Sequence, residues 1–336
     1  MDANAPTHAA VIGDGAMGTA IACLLAGRGL PVTLWSAFPD YAAVLRTTRR
    51  NPKFLPDVPL PESIRIADNP SAVGDADLVV LAVPTQFLRP VLERVSDHLP
   101  DESLYVSVAK GLETDSLLRV DEIAADVLGP VRFVALSGPS HAEEVARNLP
   151  ATLVAASTDE PDAEAVQAAF STDRFRVYTS TDLVGVELGG ALKNVIALAA
   201  GICDGLDLGD NAKAAVMTRG SVEMARLGVA LGARPETFSG LSGIGDLIVT
   251  CTSRHSRNRA VGLAVGRGET LKQVLDRMEQ VAEGVWTTCA ARRLAEQHAV
   301  DMPITEAVHA VLYDGRPPLD AVTDLMLRPP RAETPT

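Results

Sequence analysis

Short apolar runs recur along the first half of the chain, at residues 9–12, 32–35, 78–83, 104–108, 133–136 and 153–156. They are mostly apolar at consecutive rather than alternate positions. That pattern predicts strands covered by helices on both faces, as in a parallel sheet. Between the runs, residues 17–28, 86–99 and 141–148 carry helical spacing, so the front of the chain reads as repeated βαβ units. The last strands are compatible with either direction. After Asp182 the strand pattern stops. Asp182 is placed to cap a helix running to about Cys203, with Asp204 and Gly205 ending it. Helical spacing returns at 212–231, 257–265, 271–277, 289–297 and 304–312. The predicted plan is a doubly wound α/β domain over residues 1–180 and an all-helical domain over 181–328. A Pro-rich polar tail, 329–336, is expected to be disordered.

The 336 residues suit two such domains. Their net charge of −13 argues against binding nucleic acid or an anionic membrane surface. Purely apolar runs such as 78–83 and 196–200 are far short of the ~20 residues of a membrane span. Residues 1–8 have neither a basic region nor a long apolar stretch, so no signal peptide is expected. Cys23, Cys203, Cys251 and Cys289 show no paired or CxxC spacing, which predicts reduced thiols in a cytoplasm. No HxxxH or HExxH spacing occurs, and no metal is expected.

Candidate chemistry begins at Gly13, Gly15 and Gly18, a GxGxxG directly between the first strand and the first helix. Such glycines permit a tight turn, close backbone approach to a pyrophosphate, and close helix–strand packing, while the helix N-terminus attracts the anion. The acid that usually ends the second strand of an NAD site is missing: that strand ends Leu34-Trp35-Ser36-Ala37, and Asp40 lies beyond Pro39. Arg46, Arg49 and Arg50 are near enough in sequence to swing toward a 2′-phosphate, so the choice between NAD and NADP stays open. Lys110 follows a buried strand, either as a surface lysine or as a cation in the ligand crevice. Ser140 follows another, either as a crevice residue or as a helix N-cap. In residues 185–194 (GVELGGALKN), Gly189 and Gly190 weaken a helix by about 1 kcal/mol each and bare the face one turn before Lys193. The space admits a ligand or a second helix. A desolvated lysine there is a natural proton donor and acceptor. Arg254, Arg257 and Arg259 form either a phosphate pocket or a solvated basic patch, and Ser256, Arg257 and Asn258 are expected to open a helix. Upstream, a glycine-dense turn delivers Asp246.

Residues 13–18, 51–56, 109–113, 137–140, 185–194, 205–213, 243–259 and 281–284 together resemble, in order, the bacterial NAD(P)-dependent glycerol-3-phosphate dehydrogenases. The resemblance runs from about residue 8 to residue 315. It implies an α/β Rossmann-type N-terminal domain followed by an all-α C-terminal domain. It also implies reversible reduction of dihydroxyacetone phosphate to sn-glycerol 3-phosphate for glycerophospholipid synthesis, with NAD or NADP. Carried over, it makes Lys193 the proton acceptor. Around the substrate it sets Lys110, Gly138, Ser140, Lys193, Asp246, Ser256, Arg257 and Asn258. Along the dinucleotide it sets Gly13, Gly15, Ala16, Met17, Gly18, Ala37, Lys110, Ala142, Arg257, Val281 and Glu283. Three positions depart from the family's habit. Met17 replaces an aromatic residue, Ala37 a basic or polar one, and Asp14 an alanine, where a carboxylate should weaken pyrophosphate binding. A homodimer rests on the resemblance alone. The competing readings are a dehydrogenase for another small hydroxy acid or phosphorylated polyol, and a non-catalytic NAD(P) sensor.

Overall fold

The computed structural model describes residues 6–330, 332 and 333. Part of the expected tail (331 and 334–336) and the first five residues of the N-terminal stretch read for a signal peptide lie outside them. The strands are β1 (Ala9–Ile12), β2 (Val32–Trp35), β3 (Arg50–Asn51), β4 (Leu55–Pro59), β5 (Ile64–Ala67), β6 (Leu78–Leu81), β7 (Leu104–Ser107), β8 (Arg132–Ser137), β9 (Ala151–Ala156) and β10 (Phe175–Ser180). Eight form one sheet in the order β10-β9-β8-β7-β6-β1-β2-β5, and β3 pairs with β4 separately. Neighbours in the large sheet are parallel except β8 and β9, which run antiparallel. Ala9 and Val11 pack into one apolar layer, Ala10 and Ile12 into another on the opposite face. Both faces being covered explains why these strands are apolar at every position.

Two strands of the large sheet, β5 and β10, escape the sequence pattern because both are edges. Their IRIA and FRVYTS alternate buried and exposed positions instead of running apolar throughout. The chain goes from β1 outward to β2 on one side and to β6 on the other. The carboxyl ends of β1 and β6 therefore flank the switch point where such sheets bind ligands.

The helices of the front half are α1 (Ala16–Gly27), α2 (Pro39–Thr48), α3 (Thr85–Val95), α4 (Val120–Leu128), α5 (Ala142–Ala146) and α6 (Glu160–Phe170). Behind them come α7 (Leu183–Gly205), α8 (Gly209–Ala230), α9 (Asp246–Thr252), α10 (Arg257–Gly266), α11 (Leu271–Asp276), α12 (Glu283–Gln297), α13 (Pro303–Tyr313) and α14 (Pro318–Met326). Asp182 caps α7 as its sequence position predicts, accepting from the Gly185 amide at 3.0 Å. α12 starts six residues before the expected Cys289, and α14 has no counterpart in the sequence reading.

By length and composition α7 could cross a membrane, which the search for unbroken apolar runs misses, but 94% of that window is buried inside the protein. It is the core of the helical half. Gly201 and Gly262 bring α7 and α10 close, since a side chain on either would overlap the other helix's backbone.

Candidate active site

The glycine loop assigns each of its three glycines a different task. Gly13 has φ +110°, and a Cβ there would meet the Ala82 carbonyl oxygen at 2.8 Å, so it serves the close approach of β1 to the end of β6. A Cβ on Gly18 would overlap the Gly13 carbonyl, so Gly18 seats α1 on the loop and stays off the cavity wall. Gly15 is the open one: nothing lies within 4 Å of its Cβ position. It precedes α1, which has no side-chain cap and no acid in its first turn. The first amides of α1 therefore have no acceptor within the helix and offer positive charge to an anion. They open on a cavity of about 690 Å³.

Beyond the loop the cavity wall is apolar, with Trp35, Ala37, Phe38, Phe87 and Val91. The open glycine, the free amides and this apolar slot fit a dinucleotide. The three arginines read as able to swing in do not reach the wall. Arg46 pairs with Asp68 at 3.3 Å, Arg49 donates to the Pro61 and Ile64 carbonyls, and Arg50 donates to Pro56 at 3.2 Å. Arg94 lies over the Trp35 ring and donates to the Ala37 carbonyl at 2.7 Å.

The same cavity holds a buried charge cluster. Asp246, 2% exposed, opens α9 after a π-helical turn at Leu241–Gly245. Its Oδ1 is 3.1 Å from Lys193 Nζ, and its Oδ2 accepts from Lys110 Nζ at 2.7 Å. Lys193 Nζ also donates to Thr250 Oγ1 at 2.7 Å. Burial lowers the Lys193 pKa to about 8, with Asp246 opposing and Lys110 reinforcing that fall. Burial alone would raise the Asp246 carboxyl, but the two ammonium groups win and hold it below its usual range. Lys193 is thus a buried but paired cation.

Of the two occupants left open for the face beside Gly189 and Gly190, packed protein is the one found. A Cβ on Gly189 would meet the Ser242 carbonyl at 2.8 Å, and one on Gly190 would meet Ser137 Oγ at 2.9 Å and Lys110 Cγ at 3.5 Å. Protein fills the bared face, which brings the Asp246 turn and Lys110 within reach of Lys193.

Several predicted residues act as braces. Lys110 Nζ donates to the Gly138 carbonyl at 2.8 Å and lies 3.3 Å from Ser140 Oγ. Gly138 itself is absent from the cavity wall. Ser140 caps no helix, since His141 precedes α5. Ser256 does cap α10, accepting from Arg259 N at 3.2 Å. Asn258 donates to Asn194 Oδ1 and accepts from Gly284 N, both at 2.9 Å, and Asn194 donates to the Lys110 carbonyl at 2.9 Å. Glu283 accepts from the Thr85 amide at 2.6 Å and the Lys110 amide at 3.3 Å, tying α12 to the sheet. Ala16, Met17, Ala37, Ala142 and Val281 lie on the cavity wall.

The arginine trio separates. Arg259 pairs with Asp204 at 2.6 Å and Arg254 is off the wall, so only Arg257 faces the cavity. It is exposed and has no hydrogen bond or ion pair among the described residues. Sequence reading missed Thr250, Asn194, His141 and His255, all on the wall. Only Thr250 had a signal, one helical turn after Asp246.

A family profile described as the NAD-dependent glycerol-3-phosphate dehydrogenase N-terminus matches residues 8–163, and its C-terminal counterpart matches 182–323. A glycerol-3-phosphate dehydrogenase [NAD(P)+] of Moorella thermoacetica is 53% identical over 321 residues, covering 95% of this chain and 96% of that protein. One from Pelotomaculum thermopropionicum is 51% identical over 323 residues, covering 95% and 93%. The crystal structure of glycerol-3-phosphate dehydrogenase from Coxiella burnetii superposes with a TM-score of 0.92 at 38% identity, covering 96% and 99%. The glycine loop and the buried lysine–aspartate cluster thus belong to a chain that is a member of the NAD(P)-dependent glycerol-3-phosphate dehydrogenase family.

Proposed function

We propose that Lys193 is the proton-transfer group in the reduction of dihydroxyacetone phosphate to sn-glycerol 3-phosphate, and that Arg257 holds the phosphate. The observation that carries this reading is the cluster of Lys110, Asp246 and Lys193 buried in the cavity that the glycine loop also lines. A dinucleotide held at the loop of Gly13, Gly15, Ala16 and Met17 would supply the hydride for C2 of the substrate. Lys193, as ammonium, donates to the C2 oxygen and gives up its proton as negative charge develops there; in the reverse direction the neutral amine takes it back. Asp246 holds both ammonium groups in place, and Lys110 would meet a substrate hydroxyl in exchange for its 3.3 Å contact to Ser140. Arg257, whose side chain has no hydrogen bond or ion pair among the described residues, matches a phosphate in charge and fork geometry. Binding energy from the phosphate then helps position the reacting carbon.

This reading takes residues 1–180 as the dinucleotide domain and 181–328 as the catalytic one, supported by the separate apolar core around α7. It takes the enzyme as cytoplasmic and homodimeric, without membrane insertion, in agreement with free Cys23, Cys203, Cys251 and Cys289 and with the burial of α7. Purified protein given NADH or NADPH with dihydroxyacetone phosphate should lose absorbance at the reduced-nicotinamide band. No loss with either coenzyme would overturn the reading.

A further inference from the structure

β2 ends at Trp35, and Ser36 follows where a site of this topology carries the carboxylate that binds the adenosine ribose 2′-hydroxyl. Ser36 is fully buried, and its hydroxyl is bound to backbone, donating to the Phe38 carbonyl at 3.2 Å and accepting from the Phe38 amide at 3.1 Å. The negative charge lies across from it, inside the glycine loop. Asp14, between Gly13 and Gly15, lines the cavity at 6% exposure, and the Ser36 side chain stands against its carboxylate.

The loop holds Asp14 firmly. Its carbonyl accepts from Asn51 Nδ2 at 2.7 Å and from Thr19 Oγ1 at 3.3 Å. Its Oδ2, by contrast, is buried with no hydrogen-bond partner among the described residues. A buried carboxylate oxygen without a donor is costly, and a ligand hydroxyl would supply the donor. Burial raises the proton affinity of the group against the opposing pull of Ser36 and Lys53, so it is a strong acceptor. Exposed Lys53 is a cation on this stretch of wall; Arg46, Arg49 and Arg50 are tied to partners away from it, and Arg94 stands behind it, over the Trp35 ring and on the Ala37 carbonyl.

We propose that Asp14 replaces the missing carboxylate at the end of β2, accepting from the adenosine ribose 2′-hydroxyl and selecting NAD(H) over NADP(H). The inference rests on the dinucleotide reading of the cavity. A 2′-phosphate would remove the hydroxyl donor and set a second negative charge beside a buried first one. The carboxylate in the loop, expected from sequence to weaken pyrophosphate binding, would then serve the ribose.

Calorimetric titration of the full chain with NADH and with NADPH tests this by binding alone. The unmodified protein should bind NADH at least about tenfold more tightly, the scale of one hydrogen bond to a charged group. Asp14→Asn and Asp14→Ala should bring the two dissociation constants to within about threefold, NADPH gaining and NADH losing. Should either variant melt early, competition between ADP-ribose and its 2′-phosphate on the unmodified protein reads the same preference. Equal or tighter NADPH binding by the unmodified protein overturns the proposal, as does an unchanged ratio in the folded variants. Failure to bind either dinucleotide would bring down the cavity reading as well.

Discussion

The glycine loop and the buried charge cluster line one cavity but are built in opposite ways. The loop works by what its residues lack. Gly13 and Gly18 omit side chains so that backbone can touch backbone, and Gly15 leaves open space beside the cavity. Its parts lie within six residues and depend on local conformation. The cluster works by what distant segments deliver: Lys110 from the end of β7, Lys193 from mid-α7, and Asp246 and Thr250 from one turn of α9. Neither lysine has its electrostatic setting until the whole chain has folded. A local motif can therefore fix where an anion binds, while the proton chemistry depends on tertiary packing.

The largest expected effect separates the two regions outright. Lys193→Ala should lower turnover by about 10²–10⁴, the scale of a positioned acid–base group, while the dinucleotide dissociation constant from fluorescence titration stays within about twofold. Retained turnover would break the assignment.

Within the loop, the glycines should fail differently. Gly18→Ala forces a methyl into the Gly13 carbonyl and should cost about 1–3 kcal/mol of stability or more, read by chemical denaturation. Gly15→Ala has open space, so its melting temperature should hardly move while dinucleotide affinity falls. Equal destabilisation by both would refute the division of labour. The smallest of these effects belongs to Arg257→Ala. It should raise the KM for dihydroxyacetone phosphate by about 10–100-fold, one charged hydrogen-bonding group, and leave weak turnover of unphosphorylated dihydroxyacetone nearly unchanged. Matching losses on both substrates would sharpen the account against a phosphate clamp.

The same contrast explains what the sequence made legible. The GxGxxG, the doubly covered strands and the Asp182 cap are local signals, and each appears as expected. Lys193 was marked out by two glycines spoiling a good helix, and of the ligand or packed segment they could admit, the fold supplies the Ser242 carbonyl and Lys110. The arginine trio was not readable from its spacing; only the resemblance singled out Arg257. Arg257 and Arg259 stand two residues apart, yet only the fold turns one to the cavity and the other to Asp204. The edge strands β5 and β10 escaped because exposed residues, Arg65 in one and Arg176, Tyr178 and Thr179 in the other, interrupt their apolar runs. Asn194, a scaffold residue, was hidden for a related reason: its role exists only through Lys110 and Asn258, 84 and 64 positions away.

The central claim is that a lysine desolvated to a pKa of about 8 carries the proton. Its most direct test is the pH dependence of kcat/KM in both directions, in the unmodified enzyme and in Lys193→Ala. Reduction needs the protonated amine, so it should be fast below about pH 8 and decline above it; oxidation needs the neutral amine and should rise through the same region. Both limbs should vanish from the residual activity of the variant. Limbs that persist without Lys193, or that run in the same direction for both reactions, would contradict the claim.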